Sequence, residues 1–197
     1  MFINLNQNKN FKLFKIISEV ADRNGQSVYA VGGFVRDLLM KRKAPTDIDF
    51  VTESSGIELA ESIAKEIDPK TKVAVFKTYG TAMFRYQDLE LEFVGARKES
   101  YSEDSRKPSV EIGTLEDDQK RRDFTINAMA ISLNKDNFGE LIDPFGGMQD
   151  LSDKILRTPL EPHQTYSDDP LRMMRAIRFA TTLDFEIEEH SLKAIKE

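Results

Sequence analysis

Asp47 and Asp49 stand two residues apart in the run Asp47–Val51, flanked by Ile48 and Phe50. Strand side chains alternate in direction, so this spacing points both carboxylates to one face. Two like charges held that close are unfavourable unless a cation lies between them, and an oxygen-only pair suits a hard divalent metal such as Mg²⁺. Glu92, which shares a face with Glu90 and Val94 on the run Leu89–Val94, is the candidate third catalytic carboxylate. The alternative for Glu92 is a cross-strand ion pair with Arg85 or Arg97. Three such groups would suit two-metal chemistry, in which an attacking hydroxyl is activated and a leaving pyrophosphate is stabilised.

Gly32-Gly33 separates the apolar run Val28–Val31 from Phe34, Leu38 and Leu39, which recur at helical spacing. A glycine pair there is either a plain tight turn or a place where backbone N–H groups approach a phosphate at the positive end of a helix. Arg36, one turn in, would add a fixed cation. No Gly-Lys-Ser/Thr follows and the third glycine of a dinucleotide fingerprint is missing, so any phosphate cradle here is of another kind.

Two later stretches carry further candidates. In RRDFTINA, Arg122, Asp123 and Asn127 cluster where a helical pattern gives way to a strand, which favours a ligand-binding role; Arg121 reads as a basic helix end. In DDPLRMMRAIRFA, Leu171, Met173, Met174, Ile177 and Ala180 spread over one broad side of a helix at about 100° per residue. Arg172, Arg175 and Arg178 fall within an arc of roughly 120° away from the centre of that side. Asp168 lies four residues before Arg172, but Arg175 and Arg178 have no acidic partner on their own helix, a pattern that awaits an anion. Asp169 before Pro170 is either a helix cap or a functional acid.

Elements that would position these groups follow from the pattern along the chain. A helix over Phe11, Phe14, Ile17 and Ala21 ends at Asn24-Gly25, and another begins at Ser54-Ser55-Gly56 and closes at Asp68-Pro69. Lys72–Phe76, Thr81–Tyr86 and Leu89–Val94 form a meander, and Ala128–Leu133 with Glu140–Ile142 a hairpin. Ala96–Val110 is polar and aperiodic, as in a mobile loop. Thr114 and Asp117 make a capping box for a helix over Leu115–Arg121. Lys154–His163, with two prolines, reads as a connection to a different element. A helix over about Asp168–Thr182 follows, and the pattern from Ile187 runs to Glu197 without a cap, as expected of a fragment.

Composition narrows the chemistry. The 197 residues carry 40% hydrophobic and 31% charged side chains and a net charge of −6, so any nucleic-acid contact must rest on local basic patches. Zero cysteines exclude disulfides and thiolate metal sites, and His163 and His190 are the two histidines, which leaves carboxylates as metal ligands. No apolar run approaches a membrane-spanning length, and the amino terminus lacks the order of a signal peptide, which together predict a cytoplasmic protein.

In their order along the chain, GGFVRD, DID, RRDFTINA, DPFGG and DDPLRMMRAIRF resemble the head and early neck of the class II tRNA nucleotidyltransferases and bacterial poly(A) polymerases, within the DNA polymerase beta-like nucleotidyltransferase superfamily. The resemblance implies an α+β fold: a head at residues 1–157 with a mixed, mainly antiparallel sheet flanked by helices, then the start of an all-helical neck at 158–197. It implies Mg²⁺ held by Asp47 and Asp49, a triphosphate held by Gly32, Gly33 and Arg36, and a nucleotide site lined by Arg122, Asp123 and Asn127. Asp169 and Arg172 match the neck motif that reads the incoming base, and Arg175 and Arg178 continue it; Asp168 stands where the family has glutamate. The implied reaction is transfer of C and A residues from CTP and ATP to the 3′ end of tRNA, with the polar loop after Ala96 repositioning as the base changes. A-adding or poly(A)-adding activity is the close alternative, and a non-catalytic nucleotide- or RNA-binding module is the alternative of another class.

Overall fold

The computed structural model describes residues 1–42, 46–102 and 105–197, with side chains described outside 98–112. In chain order the elements are α1 (Phe11–Asn24), β1 (Tyr29–Val31), α2 (Gly33–Leu39), β2 (Asp47–Thr52), α3 (Gly56–Ile67), β3 (Ala74–Phe76), β4 (Thr81–Tyr86), β5 (Leu89–Gly95), β6 (Arg97–Ser102), β7 (Ser105–Ile112), α4 (Leu115–Lys120), α5 (Thr125–Ala128), β8 (Ala130–Ser132), β9 (Leu141–Ile142), α6 (Gly147–Asp153), β10 (Ile155–Leu156), α7 (Pro162–Asp168), α8 (Leu171–Leu183), β11 (Glu186–Ile187) and α9 (Glu189–Lys196). They divide into two units: 1–118 with 130–142, and 119–129 with 143–197. The division is interleaved along the chain.

The first unit is built on a seven-stranded sheet of order β3-β4-β5-β2-β1-β8-β9. Its pairings are antiparallel apart from β2 with β5, which run parallel. The mixed, mainly antiparallel α+β fold is therefore as expected. Alternation sorts β2 and β5 cleanly: Ile48, Phe50, Leu91 and Phe93 are fully buried on one face, while Asp47, Asp49, Glu90 and Glu92 occupy the other. On the buried face the Phe50 and Phe93 rings stack 4.8 Å apart and Phe84 of β4 stacks on Phe93 at 5.6 Å. The helix α3 packs on β4 and β5, and α1 on α3.

Local chemistry sets the helix ends. Gly25 terminates α1 at φ 64°, and its N–H donates to the Ala21 and Asp22 carbonyls. Ser55 accepts from Glu58 N at 3.2 Å to start α3. Thr114 and Asp117 close the expected capping box, with Thr114 N donating to Asp117 Oδ2 at 2.9 Å and Asp117 N to Thr114 Oγ1 at 3.2 Å.

Two expectations change. The stretch 96–110 contains an antiparallel pair, β6 with β7, rather than a loop; residues 103–104 lie outside the described residues, as do 43–45 of the basic stretch before β2. Hydrophobic alternation reports only strands with one buried face, whereas backbone pairing needs no apolar pattern. The helix expected over about Asp168–Thr182 starts later, as α8 at Leu171, and a separate helix, α7, precedes it: α7 ends at Asp168 and Asp169 is extended at φ −147°. Pro170 disfavours helical backbone at the residue before it.

The second unit contains α5, α6, the parallel pair β10 and β11, and helices α7, α8 and α9, with α7 packed against both α8 and α9. The DPFGG segment is a helix start: Asp143 Oδ1 and Oδ2 accept from Gly147 N at 2.7 Å and Met148 N at 2.9 Å.

In the first unit, α3 approaches β5 so closely that a Cβ on Gly56 would stand 2.7 Å from Gly95 N and 2.8 Å from the Val94 carbonyl carbon. Gly56→Ala should therefore lower stability by about 2 kcal/mol, although helix propensity alone favours alanine by roughly 1 kcal/mol. A thermal melt with an unchanged or raised Tm would show that this contact does not constrain α3.

Candidate active site

In the first unit, parallel pairing sets Asp47 beside Glu90 and Asp49 beside Glu92. With Thr46, Arg85, Gln87 and Asp88 these four line a cavity of about 470 Å³. Its floor is strand, and its backing is the buried Phe50–Phe93–Phe84 stack. Arg85 is mostly exposed and lies 3.9 Å from Glu90, not Glu92, because it is Glu90 that faces it across the β4–β5 register. Burial raises the Glu92 carboxyl above the usual range; Asp49 and Glu90 raise it further, Arg97 opposes them, and Asp47 adds a smaller upward push. This is the electrostatic signature of a site short of positive charge.

Among the described residues no set of three or more His, Cys, Asp or Glu side chains converges closely enough to hold a metal ion. Two carboxylates on one strand face nevertheless fit Mg²⁺, which takes one or two carboxylates and completes its shell with water and substrate phosphates. The shared face of Asp47 and Asp49 is as the alternation predicted. Glu90 and Asp88 were missed as cavity residues; the period of two that singled out Glu92 applies equally to Glu90.

The glycine turn belongs to the same unit. Val31 pairs with Asp49, so Gly32 and Gly33 follow directly from the strand beside the carboxylates. Gly32 takes φ 70° and ψ −139°, which disfavours any side chain there. Arg36 is buried; its Nε donates to Asp37 Oδ1 at 2.9 Å, and its guanidinium would be 3.5 Å from a Cβ on Gly33. The guanidinium is therefore folded back over the turn.

In the second unit a different set meets. Asp123 is buried, its Oδ1 accepting from Phe124 N at 2.8 Å and Asn127 Nδ2 at 3.1 Å. Its Oδ2 accepts from Arg175 Nε at 2.7 Å, with Arg175 Nη2 at 2.6 Å. Arg122 donates to the Asn127 carbonyl at 3.4 Å. Arg172 donates to the carbonyls of Arg121 at 2.7 Å and Thr165 at 3.2 Å. Asp169 Oδ1 accepts from Leu171 N at 3.0 Å, and its Oδ2 lies 3.9 Å from Arg172 Nε. Thus RRDFTINA and the arginine helix join in one polar network.

This corrects the picture of α8 as a face of unpaired arginines. Arg172 and Arg175 are engaged by segments about fifty residues away, which spacing within one helix does not reveal. Asp168 is bonded to Gln164 Nε2 at 2.6 Å, and the partner of Arg172 is Asp169. Arg178 is the arginine of the three without an acidic partner among the described residues; its guanidinium carbon lies 4.8 Å from the Phe179 ring centre. The buried side of α8 is Ala176, Phe179 and Leu183, while Leu171, Met174 and Ile177 are 70%, 65% and 50% exposed.

Residues 28–157 match the family model described as the poly A polymerase head domain. The chain is 44% identical over 169 residues to the A-adding tRNA nucleotidyltransferase of Aquifex aeolicus, covering 86% of this chain and 20% of that protein. It is 39% identical over 184 residues to the CCA-adding enzyme of Enterococcus faecalis, covering 92% and 42%. A solved tRNA nucleotidyltransferase complexed with a primer tRNA and an incoming ATP analog superposes with a TM-score of 0.80 at 40% identity, covering 91% of this chain and 48% of that one. The chain thus spans less than half the length of these relatives.

Two outcomes follow from the electrostatics. Because the folded-state value of Glu92 is raised, folding binds its proton more tightly; that stability is complete below the ordinary value of 4.5 and is lost as pH rises through the raised one. Without metal, Glu92→Gln should therefore stabilise the protein at neutral pH, the gain vanishing below pH 4.5 in urea titrations run in EDTA; no gain at neutral pH would show that the carboxylate is well accommodated. Arg175→Ala leaves Asp123 buried without its cation and should lower stability by about 2 kcal/mol, discounted for the part-exposed arginine. A double-mutant cycle with Asp123→Asn checks it, and additive effects would refute the coupling.

Proposed function

Because the chain belongs to the poly A polymerase head domain family, we propose that it is the catalytic head and early neck of a nucleotidyltransferase that adds C and A residues from CTP and ATP to the 3′ end of tRNA in the cytoplasm. The observation that carries this reading is the shared face of Asp47 and Asp49 on β2, bordered by Glu90 and Glu92. The head is proposed to end at Arg157, where the matched region ends, with the neck at 158–197.

Asp47 and Asp49 would hold Mg²⁺, which when bound supplies positive charge for the α-phosphate and the departing pyrophosphate. The rest falls to the chain's own groups. Glu92, with its raised proton affinity, would accept a proton or an outer hydrogen bond beside the pair. Gly32 and Gly33 leave the backbone open to the triphosphate, and Arg36, fixed by Asp37, offers it a guanidinium. We assign nucleotide binding to Arg122, Asp123 and Asn127, with Arg175 holding Asp123 in place. Asp169 and Arg172 would read the base edge, and each is already oriented, by Leu171 N and by two carbonyls respectively. That prior ordering reduces the entropic cost of selection. Arg178, without an acidic partner among the described residues, is the candidate for an incoming phosphate.

A second reading, addition of A alone, is favoured by the A-adding tRNA nucleotidyltransferase of Aquifex aeolicus, 44% identical to this chain. Incubating the chain with tRNA lacking its 3′ end, and with CTP and ATP singly and together, separates the two. Asp47→Ala should abolish incorporation with circular dichroism unchanged. Near-normal incorporation by that variant would refute the mechanism, and nucleotide binding without incorporation by the unaltered chain would favour a binding module.

A further inference from the structure

A second cavity in the first unit, of about 420 Å³, is lined by different residues from the carboxylate cavity; of its lining, only Asp37, which fixes Arg36, has a role in the chemistry above. Lys9 and Lys41 bring positive charge to it, with Arg42 and the carboxylate of Asp37 also in the lining; the rest is amides and the apolar side chains of Phe34 and Leu38. The surplus of cations stands out on a chain of net charge −6.

Asn10 makes the cavity more than a basic dent. It is 9% exposed and lines the cavity, yet its side chain has no hydrogen-bond partner among the described residues. It is also the cap residue of α1 but makes no side-chain capping bond. The side-chain oxygen and nitrogen of Asn10 are not sealed from solvent, so the amide opens to the cavity, where a ligand's polar groups can replace water. Asn4 and Asn8 use their side-chain oxygens for Asn6 N at 3.0 Å and Asn10 N at 2.9 Å, which leaves their amide N–H donors for another molecule. Lys9 and Lys41 have no acidic partner among the described residues, and backbone bonds from Lys41 N to Leu38 O and from Arg42 N to Asp37 O hold the rim. The floor is rigid, since Phe34 packs edge-on against Phe14 at 5.6 Å.

We propose that this cavity binds one nucleotide unit: its phosphate at Lys9 and Lys41, and its base edge at Asn10 and the neighbouring amides. Cations match phosphate, and side-chain amides carry both the donor and the acceptor that a base edge requires. The volume falls within the usual range for small-ligand sites. The unit can come from an RNA strand or from a free mononucleotide, and both present the same chemistry.

The test uses the full chain carrying Asp47→Ala and Asp49→Ala in EDTA, so that the carboxylate site is silent. A labelled short oligoribonucleotide, 5′-AMP and inorganic phosphate are titrated separately, with binding followed by anisotropy for the labelled strand and by the Asn10 side-chain amide resonance for all three. The proposal expects saturable shifts of that resonance with the oligoribonucleotide or 5′-AMP. Lys9→Glu with Lys41→Glu should weaken binding about tenfold or more and flatten its salt dependence, with the circular dichroism spectrum unchanged. Tighter binding of the strand than of 5′-AMP assigns the site to RNA, and equal binding assigns it to mononucleotide. An unmoved Asn10 resonance, affinity unchanged in the charge-reversed variant, or full reproduction of the shift by phosphate alone would overturn the proposal. Should Lys9→Glu with Lys41→Glu disturb the fold, Asn10→Leu serves in its place: retained affinity would be equally decisive against it.

Discussion

Repulsion among carboxylates on one strand face is the constraint around which the first unit is arranged. Asp47, Asp49, Glu90 and Glu92 are brought side by side by the parallel pairing of β2 and β5, and isolated charges of one sign do not choose that arrangement. It persists because the opposite face of the same strands is buried. Ile48, Phe50, Leu91 and Phe93 are fully enclosed, and the Phe50–Phe93–Phe84 stack fixes the register. A one-residue slip would turn acids inward and phenylalanines outward, so the core enforces the acidic face. The raised proton affinity of Glu92 is the visible strain of that enforcement.

The second unit resolves its charges within itself. Asp123 is buried but satisfied by Phe124 N, Asn127 and Arg175, while Arg172 ties two carbonyls together. Groups so fully bonded are fixed in orientation before any ligand arrives, and they hold their neighbours in position as well. Thr125 Oγ1 donates to the buried Asp150 at 2.6 Å and Arg157 Nε to the same carboxylate at 3.2 Å, which extends the network to α6 and β10. The three α8 arginines therefore have different physical roles despite their regular spacing.

Polar groups thus serve opposite ends in this chain. On β2 and β5 like charges crowd one strand face and border a cavity, whereas around Asp123 opposite charges meet and fix an arrangement. At Asn10 a neutral amide without a side-chain partner among the described residues opens to a cavity instead.

Period-two alternation was enough to predict the shared face of Asp47 and Asp49 and that of Glu90 and Glu92, because side-chain direction in a strand is set by the backbone alone. The stops and caps of α1, α3 and α4 were equally legible, since Gly25, Ser55 and the Thr114–Asp117 pair act within a few residues. Tertiary structure decided which strand lies beside which, and so made Glu90 a neighbour of Asp47. It also decided the partners of Arg172 and Arg175, and which side of α8 is buried. Ion pairs between residues fifty positions apart leave no periodic trace, and a helix with apolar groups on several sides does not declare which one its neighbours will cover.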